Sequence, residues 1–217
     1  MPVLFCDLDD TLIERTAAFR SWIADFALRH DLEGAWGERI MLEDRRGFRS
    51  REELFAVAAE VTPARVSVDE LIAEFHDRYS SYFPPLAEAT RAALTELREN
   101  GWRVVVLTNG SASQEKKILA TGTDAFVDGW CISEVVGVRK PDPAIFRAGA
   151  ELCGGGLEGA WMIGDSPEAD VGGAMAAVIR SAWIRLGRIW PLTKFKPDLE
   201  VDSVAEAIAS IRELAPL

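Results

Sequence analysis

The sequence predicts an α/β protein built on a doubly wound parallel sheet, with an all-helical segment inserted after the first strand. Short apolar runs alternate with helical patterns of about 10–15 residues, as a parallel sheet with crossover helices requires. Residues 14–85 interrupt this alternation and carry only helical patterns. We therefore predict an α/β core of residues 1–13 and 86–217, and a helical insertion of residues 14–85 that we call the cap.

Five apolar runs are predicted as strands buried on both faces, because they are short and contain few polar residues. They span residues 2–6, 102–107, 125–132, 160–163 and 180–184. The helical patterns of the core cover residues 88–100, 143–152, 168–178 and 203–214. Capping residues support two of these helices, because Asn100-Gly101 ends the first and Asp142-Pro143 begins the second.

The cap contains an apolar helical face followed by two further helical patterns. Phe19, Trp22 and Phe26 recur at helical spacing, and residues 51–61 and 68–82 continue in the same way. We expect the cap to cover the carboxyl edge of the sheet, where open α/β sheets bind ligands.

The composition argues against several classes of partner. The formal net charge is −11 and the isoelectric point is near 4.8, which disfavours nucleic acid and anionic membranes as partners. No run approaches the roughly 20 apolar residues that span a bilayer. Cys6, Cys131 and Cys153 form no CxxC pair, which favours free thiols in a reducing compartment. We expect a cytoplasmic protein that meets an anionic substrate with a local counter-charge, such as a metal ion or a lysine.

Polar residues follow the predicted strands at their carboxyl ends. Asp7 and Asp9 come directly after the first strand, and Thr108 and Asn109 come directly after the second. Two carboxylates so close together repel each other and are costly without a cation. A hydroxyl and an amide before a glycine can offer hydrogen-bond donors to an anion. Taken singly, the aspartate pair is equally compatible with an ordinary capped turn, and for Thr108 and Asn109 an ordinary strand-to-helix turn is favoured.

Two further elements follow the third and fourth strands. Lys140 lies between Arg139 and a Pro-Asp-Pro sequence that stiffens the backbone around it, although a single lysine is usually a solvated surface charge. Asp165 and Asp170 follow a glycine after the fourth strand, where an aspartate can also be a helix N-cap.

The carboxyl ends of neighbouring parallel strands meet at one edge of the sheet, so these side chains are expected to converge. The carboxylates would form an oxygen-rich site that suits Mg²⁺, made by Asp7, Asp9 and Asp165. The donors would surround a phosphoryl group, and they are Thr108, Asn109 and Lys140.

These four motifs, in this order, resemble those of the haloacid dehalogenase-like (HAD) hydrolases. The chain has DxDxT at residues 7–11, a strand followed by Thr108, a lysine before proline at Lys140, and GDSxxxD ending at Asp170. The stretch GVRKPDPAIF at residues 137–146 is also typical of this family. The resemblance covers nearly the whole core, but it matches the cap only as a helical insertion. It departs at Val178, where relatives often have glycine.

The resemblance implies a Rossmann-like core and a Mg²⁺-dependent phosphatase that acts on a small phosphorylated metabolite. Asp7 would attack phosphorus to form an aspartyl-phosphate. Asp9 would protonate the leaving oxygen and then activate the hydrolytic water.

The remaining motif residues are implied to bind the substrate and the metal. Thr108 and Lys140 would hold the phosphoryl oxygens, with Asn109 beside them. Asp165 would bind Mg²⁺ together with Asp7 and the Asp9 backbone carbonyl. Asp170 would be a further ligand or would anchor the ligands.

The same motif residues distinguish a phosphatase from proteins of the superfamily with other activities. A haloacid dehalogenase is disfavoured because its motif lacks the second aspartate, which Asp9 supplies here. A sugar phosphomutase remains open, because it uses the same carboxylate pair and returns the phosphoryl group to a sugar hydroxyl. A non-catalytic binding protein is less favoured, because the set of catalytic residues is complete.

The cap sequence RRGFRSR at residues 45–51 is locally basic. Its arginines could bind a second anionic group of the substrate, and they are Arg45, Arg49 and Arg51. The flanking acidic residues Glu43 and Asp44 could instead pair with them, and the sequence favours this pairing. His30 and His76 also lie in the cap and receive no role.

Overall fold

A computed structural model describes residues 1–47, 49–61 and 67–214 of the chain. Two compact units are present, one formed by Met1–Ile13 with Pro85–Leu217 and the other by Glu14–Pro84. The first unit is the core and the second is the cap, so Pro85 belongs to the core. None of the helices among the described residues is both long and apolar enough to cross a membrane.

The core is built on a six-stranded sheet in the order β3-β2-β1-β4-β5-β6, and all of its strand pairs are parallel. The strands are β1 (Val3–Cys6), β2 (Arg103–Thr108), β3 (Gly129–Ile132), β4 (Trp161–Gly164), β5 (Arg180–Ile184) and β6 (Leu199–Val201). The predicted doubly wound α/β fold is confirmed. Its strand order reverses between β1 and β4, and the crevice at such a reversal is where this class of sheet binds ligands.

Two strands differ from the prediction. β3 begins at Gly129 and not at residue 125, because a 3₁₀ turn over Thr123–Phe126 precedes it. Asp128 comes directly before β3, and its carboxylate accepts a hydrogen bond of 2.8 Å from the Val104 amide of β2. The sequence does not predict β6, because this strand has only three residues and one of them is exposed.

Ten helices lie among the described residues. They are α1 (Arg15–Arg29), α2 (Gly34–Glu43), α3 (Arg51–Val61), α4 (Val68–Arg78), α5 (Glu88–Glu99), α6 (Ser113–Ala120), α7 (Ser133–Val136), α8 (Pro143–Leu152), α9 (Gly172–Ala176) and α10 (Val204–Leu214). The sequence patterns do not predict α2, α6 and α7.

One predicted core helix, residues 168–178, has a different geometry. Pro167–Val171 form a π-helical turn, and α9 follows it as a short α-helix. The Val171 amide donates to the Ser166 carbonyl, which produces the wider turn. The Ser166 hydroxyl caps the turn by accepting a hydrogen bond from the Ala169 amide.

Helix α8 packs closely on the sheet and fixes the segment that precedes it. Phe146 meets Phe5 of β1 edge to face, with ring centroids 5.6 Å apart. A Cβ atom at Gly149 would lie 2.8 Å from the end of the Leu107 side chain, so glycine allows α8 to approach the sheet this closely. The Asp142 side chain caps the helix by accepting from the Ala144 amide at 2.8 Å. The Lys140 segment is therefore held at its C-terminal side by a rigid helix.

The cap is centred on an aromatic cluster, and the predicted apolar face of α1 contributes much of it. Phe19, Trp22 and Phe26 are all fully buried. Trp22 contacts Phe55 of α3 and Phe75 of α4, with ring centroids 5.6 and 5.2 Å away. The predicted helical pattern over residues 68–82 is α4 followed by a 3₁₀ turn at Tyr79–Tyr82.

The arginines of the basic cap stretch make ion pairs inside the cap. Arg51 donates to Asp44 at 2.8 Å and lies over the Phe75 ring, while Arg49 pairs with Glu43. Arg45 is exposed, and Phe48 lies outside the described residues. Arg49 and Arg51 therefore pair with the flanking acidic residues, which is the alternative that the sequence favours.

The two cap histidines pack against aromatic rings of the same unit. His30 stacks on Phe26 with ring centroids 4.1 Å apart, and its Nε2 lies 3.4 Å from Glu74. His76 meets the Phe75 ring edge on at 5.9 Å.

Candidate active site

Asp7 is placed by the continuation of β1 past its last residue. Its backbone amide donates to the Ile163 carbonyl of β4 at 2.9 Å, which extends the pairing of the two strands by one step. The residue is buried at the carboxyl end of the sheet. In the turn that follows, an isolated β-bridge pairs Asp9 with Ile13. Asp10 lies within this turn and has a left-handed φ of 57°. This tight turn carries both aspartates of the first motif.

Lys140 reaches Asp7 from the segment before α8. Its Nζ donates to Asp7 Oδ1 at 2.5 Å and lies 2.7 Å from Asp170 Oδ1, and the lysine side chain is only 2% exposed. Burial alone lowers the pKa of this lysine, but Asp170 and Asp7 outweigh that effect and raise it above the ordinary value. Lys140 is therefore a buried cation shared by two carboxylates and not the solvated lysine that a single residue suggests.

Asn109 holds the backbone of Lys140. Its Nδ2 donates to the Lys140 carbonyl at 2.9 Å, and its Oδ1 accepts from the Lys140 amide at 2.9 Å. The Asn109 side chain thus pairs with both the amide and the carbonyl of Lys140, as the backbone of a neighbouring β-strand does. This pairing fixes the direction in which the lysine leaves the chain.

Three carboxylates meet at the ends of β1 and β4. Asp7, Asp165 and Asp170 each offer one oxygen atom, and these atoms all lie within 4.8 Å of one another. A Cβ atom at Gly164 would lie 2.2 Å from Asp170 Oδ2, so the glycine of the fourth motif makes room for that carboxylate. Asp170 Oδ2 in turn accepts from the Ser166 amide at 2.9 Å.

The electrostatics of this cluster fit a bound divalent cation. Burial raises the pKa of the Asp7 carboxyl well above its ordinary value, and Asp170 and Asp165 raise it further against the opposing effect of Lys140. Asp170 Oδ1 is buried and makes no aligned hydrogen bond, although Lys140 Nζ lies 2.7 Å away. Hard carboxylate oxygens at this spacing are the donors that Mg²⁺ prefers. A cation here would stabilise the ionised form of Asp7.

Asp9 is held by two side chains of α6 that the motifs do not identify. Lys117 Nζ donates to both Asp9 carboxylate oxygens, at 2.8 and 2.7 Å. Gln114 Nε2 donates to Asp9 Oδ2 at 2.9 Å and to Thr108 Oγ1 at 2.7 Å. Gln114 thereby links the second aspartate of the first motif to the threonine of the second motif.

Helix α6 presents these two residues on one face. Gln114 and Lys117 are three positions apart, which brings side chains to the same side of a helix, and both are buried. A Cβ atom at Gly110 would lie 2.9 Å from Gln114 Cγ, so the glycine after Asn109 makes room for the glutamine. The available sequence signal is the i, i+3 spacing of two polar residues after the second motif.

Asp165 is held from the other side by residues that follow β4 along the sheet. Trp183 Nε1 donates to the Asp165 carbonyl at 2.9 Å. Arg188 Nη2 donates to the same carbonyl at 2.7 Å and to Asp165 Oδ2 at 3.0 Å. Nothing in the sequence motifs points to Arg188, which lies in a loop after β5.

The site gathers cations within an acidic protein. Its carboxylates are Asp7, Asp9, Asp165 and Asp170, and the cations paired with them are Lys117, Lys140 and Arg188. Four carboxylates against three cations leave a small negative excess, which a divalent cation would reverse. The positive counter-charge that we expect from the acidic composition is therefore supplied in part by Lys117, Lys140 and Arg188.

Comparison with known proteins places the chain beside phosphatases. Residues 1–177 match the family model of the haloacid dehalogenase-like hydrolases. A phosphoserine phosphatase of Thermus thermophilus is 30% identical over 244 residues, which cover 95% of this chain and 97% of that protein. A glyceraldehyde 3-phosphate phosphatase of Pyrococcus abyssi is 30% identical over 199 residues, covering 86% and 82% of the two chains.

Solved structures share the fold over the full length. A HAD-hydrolase from Bacillus subtilis, YfnB, described as putative and bound to magnesium, superposes with a TM-score of 0.79 at 18% identity, covering 100% of this chain and 99% of that one. A β-phosphoglucomutase from Thermotoga maritima, also described as putative, superposes with a TM-score of 0.78 at 17% identity, covering 99% and 100%. At these identities the likeness concerns the fold.

Proposed function

Because the chain belongs to the haloacid dehalogenase-like hydrolases and is a phosphoric monoester hydrolase of that family, we propose that it cleaves a small phosphomonoester through an aspartyl-phosphate on Asp7, with Mg²⁺ as cofactor. One observation carries this proposal. Asp7 lies at the end of β1 with one carboxylate oxygen on Lys140, and it belongs to the cluster with Asp165 and Asp170.

The first half of the reaction transfers the phosphoryl group to the enzyme. An Asp7 carboxylate oxygen attacks phosphorus, and the bond from phosphorus to the leaving oxygen breaks. Lys140 neutralises charge on the phosphoryl oxygens, and the Thr108 hydroxyl, positioned by Gln114, faces the same group. Asp9 in its protonated form donates that proton to the leaving oxygen, so that the product departs as an alcohol and Asp9 is left ionised beside Lys117.

The second half regenerates Asp7. Asp9, now ionised, takes a proton from water as the water oxygen attacks the phosphorus of the aspartyl-phosphate. The bond between phosphorus and the Asp7 oxygen breaks, and inorganic phosphate and the free carboxylate result. Mg²⁺ held by Asp7, Asp165 and the Asp9 carbonyl, with Asp170 next to them, would neutralise charge on the phosphoryl group throughout.

The relatives direct the choice of substrates. Phosphoserine and glyceraldehyde 3-phosphate, named for relatives at 30% identity, are both three-carbon phosphomonoesters with a polar group near the phosphate. We include both in the test, together with p-nitrophenyl phosphate as a minimal aryl phosphate. A sugar 1-phosphate with its bisphosphate is added, because the Asp7 and Asp9 pair also suits a phosphomutase.

The experiment measures inorganic phosphate released from each compound with Mg²⁺ and after exhaustive chelation with EDTA. We expect release with Mg²⁺, loss of release with EDTA, and recovery when Mg²⁺ is restored. A mock purification from cells that do not express the protein provides the blank for contaminating phosphatase. Full activity after chelation would exclude the Mg²⁺ assignment, and conversion of the sugar phosphate without phosphate release would favour the phosphomutase.

A further inference from the structure

Arg188 contacts a carboxylate of the proposed metal site without belonging to any of the four motifs. Its Nη2 lies 3.0 Å from Asp165 Oδ2 and 2.7 Å from the Asp165 carbonyl oxygen. The Arg188 guanidinium group therefore donates hydrogen bonds to both the side chain and the backbone of Asp165. Asp165 also offers one carboxylate oxygen to the cluster with Asp7 and Asp170.

The position of the Arg188 guanidinium is itself fixed by the end of β5. Its Nε donates to the Arg185 carbonyl at 3.0 Å, and Nη2 also donates to the Ile184 carbonyl at 3.2 Å. The group lies over the Trp183 ring, 5.2 Å from its centroid, and the Trp183 indole donates to the Asp165 carbonyl. Two backbone carbonyls and the buried Trp183 ring thus fix the orientation of Arg188 independently of its contact with Asp165.

Such a group is needed because the three carboxylates repel one another. Asp7 and Asp170 share the buried Lys140, but Asp165 has its ion pair with Arg188. Without a partner on Oδ2, repulsion from Asp7 and Asp170 would turn the Asp165 carboxylate away from the cluster. Partners that orient a ligand in this way typically change metal affinity by about 10–100-fold.

We propose that Arg188 is a positioning residue that holds the Asp165 carboxylate in place for Mg²⁺, so that this loop after β5 sets the affinity of the site for the cation. The proposal rests on the proposed metal site. A plain counter-charge would act in the opposite direction, because a cation beside the site repels Mg²⁺. The two roles are therefore separated by the sign of the change in affinity.

The test measures Mg²⁺ affinity by isothermal titration calorimetry on the full chain without substrate. Arg188→Met removes the donors but keeps an aliphatic side chain over Trp183, and Arg188→Lys keeps the charge without the planar fork. Arg185→Met is the matched control, because Arg185 lies in the same loop and pairs with the exposed Asp202. Thermal unfolding of each variant without Mg²⁺ checks that the fold is retained.

We expect Arg188→Met to bind Mg²⁺ about 10–100-fold more weakly than the wild type, Arg188→Lys to fall between them, and Arg185→Met to match the wild type. Equal or tighter binding by Arg188→Met, with the wild type binding Mg²⁺, would overturn the positioning role and leave the proposed function intact. A wild-type protein that binds no Mg²⁺ would overturn the metal assignment and this inference together.

Discussion

Lys117 donates hydrogen bonds to both carboxylate oxygens of Asp9, at 2.8 and 2.7 Å, from a helix that follows the second motif. The lysine side chain is 9% exposed, and a lysine so buried is rare unless it is paired. Gln114 adds a third hydrogen bond to the same carboxylate. The side chain proposed as general acid and base is thus fixed in direction by two residues of α6.

The first prediction concerns Lys117→Met. Without the lysine the Asp9 carboxyl loses two of the hydrogen bonds that fix it, so kcat/KM for an alkyl phosphate should fall about 10–100-fold, which is at most the low end of the roughly 10²–10⁴-fold that general acid–base catalysis contributes. The loss for p-nitrophenyl phosphate should be smaller, because its leaving group needs little protonation. Steady-state kinetics on both substrates measure the difference.

Lys116→Met is the control for this variant, because Lys116 is the exposed neighbour on the same helix. Lys117→Arg should recover part of the activity, since it keeps a cationic donor. Equal losses on the two substrates would mean that Lys117 supports the fold of α6 and has no particular role at Asp9.

The second prediction separates the two aspartates of the first motif. Asp7→Asn removes the nucleophile, so no phosphoenzyme should form with any substrate. Asp9→Asn keeps the nucleophile but lacks the base for the second step, so turnover should fall by about 10²–10⁴-fold and phosphoenzyme should accumulate with p-nitrophenyl phosphate. Mass spectrometry of acid-quenched protein detects the adduct. Wild-type turnover by Asp7→Asn would rule out the covalent mechanism.

The sequence predicts the parts of the site that lie at strand ends, for a physical reason. Buried parallel strands are short apolar runs, and the residue after each run must lie at the carboxyl edge of the sheet. Asp7, Thr108 and Asp165 could be placed in this way. The carboxylates predicted from the strand ends to share a metal ion are Asp7, Asp9 and Asp165. The structure instead clusters Asp7 and Asp165 with Asp170, while the Asp9 carboxylate is bound by Lys117 and Gln114.

The residues that hold the site could not be predicted, because their contacts join distant parts of the chain. Lys117 is 108 positions from Asp9, and Arg188 is 23 positions from Asp165 and lies in a loop without regular periodicity. Asn109 was expected among the substrate donors, and its side chain is engaged with the Lys140 backbone. An amide side chain gives no sign in the sequence of whether it meets a ligand or the chain.

The third prediction concerns a buried ion pair of the cap. Arg15 donates to both oxygens of Asp44, at 2.6 and 2.5 Å, and both side chains are at most 3% exposed. Asp44→Asn leaves a buried arginine without its counter-ion, so the free energy of unfolding should fall by about 3–5 kcal/mol at neutral pH. Denaturant unfolding followed by tryptophan fluorescence measures this, because Trp22 and Trp36 lie in the cap. Asp77→Asn, on an exposed position of α4, should change stability by less than about 0.5 kcal/mol.

The same pair gives the fourth prediction, a dependence of stability on pH. Burial alone raises the pKa of Asp44, but Arg15 and Arg51 outweigh it and hold the pKa below its ordinary value of 3.8. A carboxyl with a depressed folded pKa stabilises the fold above the unfolded pKa and loses this contribution as pH falls through the folded pKa. The difference in stability between the wild type and Asp44→Asn should therefore shrink on acidification below about pH 4. A difference that stays constant from pH 7 to pH 3 would contradict the depressed pKa.

The last prediction concerns Val178, the residue at which the chain departs from the family resemblance. Val178 follows the end of α9 with a left-handed φ of 58°, and its side chain is 91% exposed. The amides of Val178 and Ile179 donate to the carbonyls of Met175 and Ala174, so this backbone conformation closes the helix. The left-handed conformation costs an L-residue about 1–2 kcal/mol, and it is an outlier for a β-branched side chain.

Val178→Gly should therefore stabilise the protein, because glycine adopts this conformation without strain and no buried contact is lost. Part of the gain is offset by the greater freedom of glycine in the unfolded chain, which leaves about 1 kcal/mol. For a chain of this size that gain raises Tm by about 2–4 °C in a thermal melt. Val178→Thr keeps the β-branch and should leave Tm unchanged, while Ala177→Gly, at a right-handed φ of −83°, should lower it. A lower Tm for Val178→Gly than for the wild type would show that the valine is not strained at this helix end.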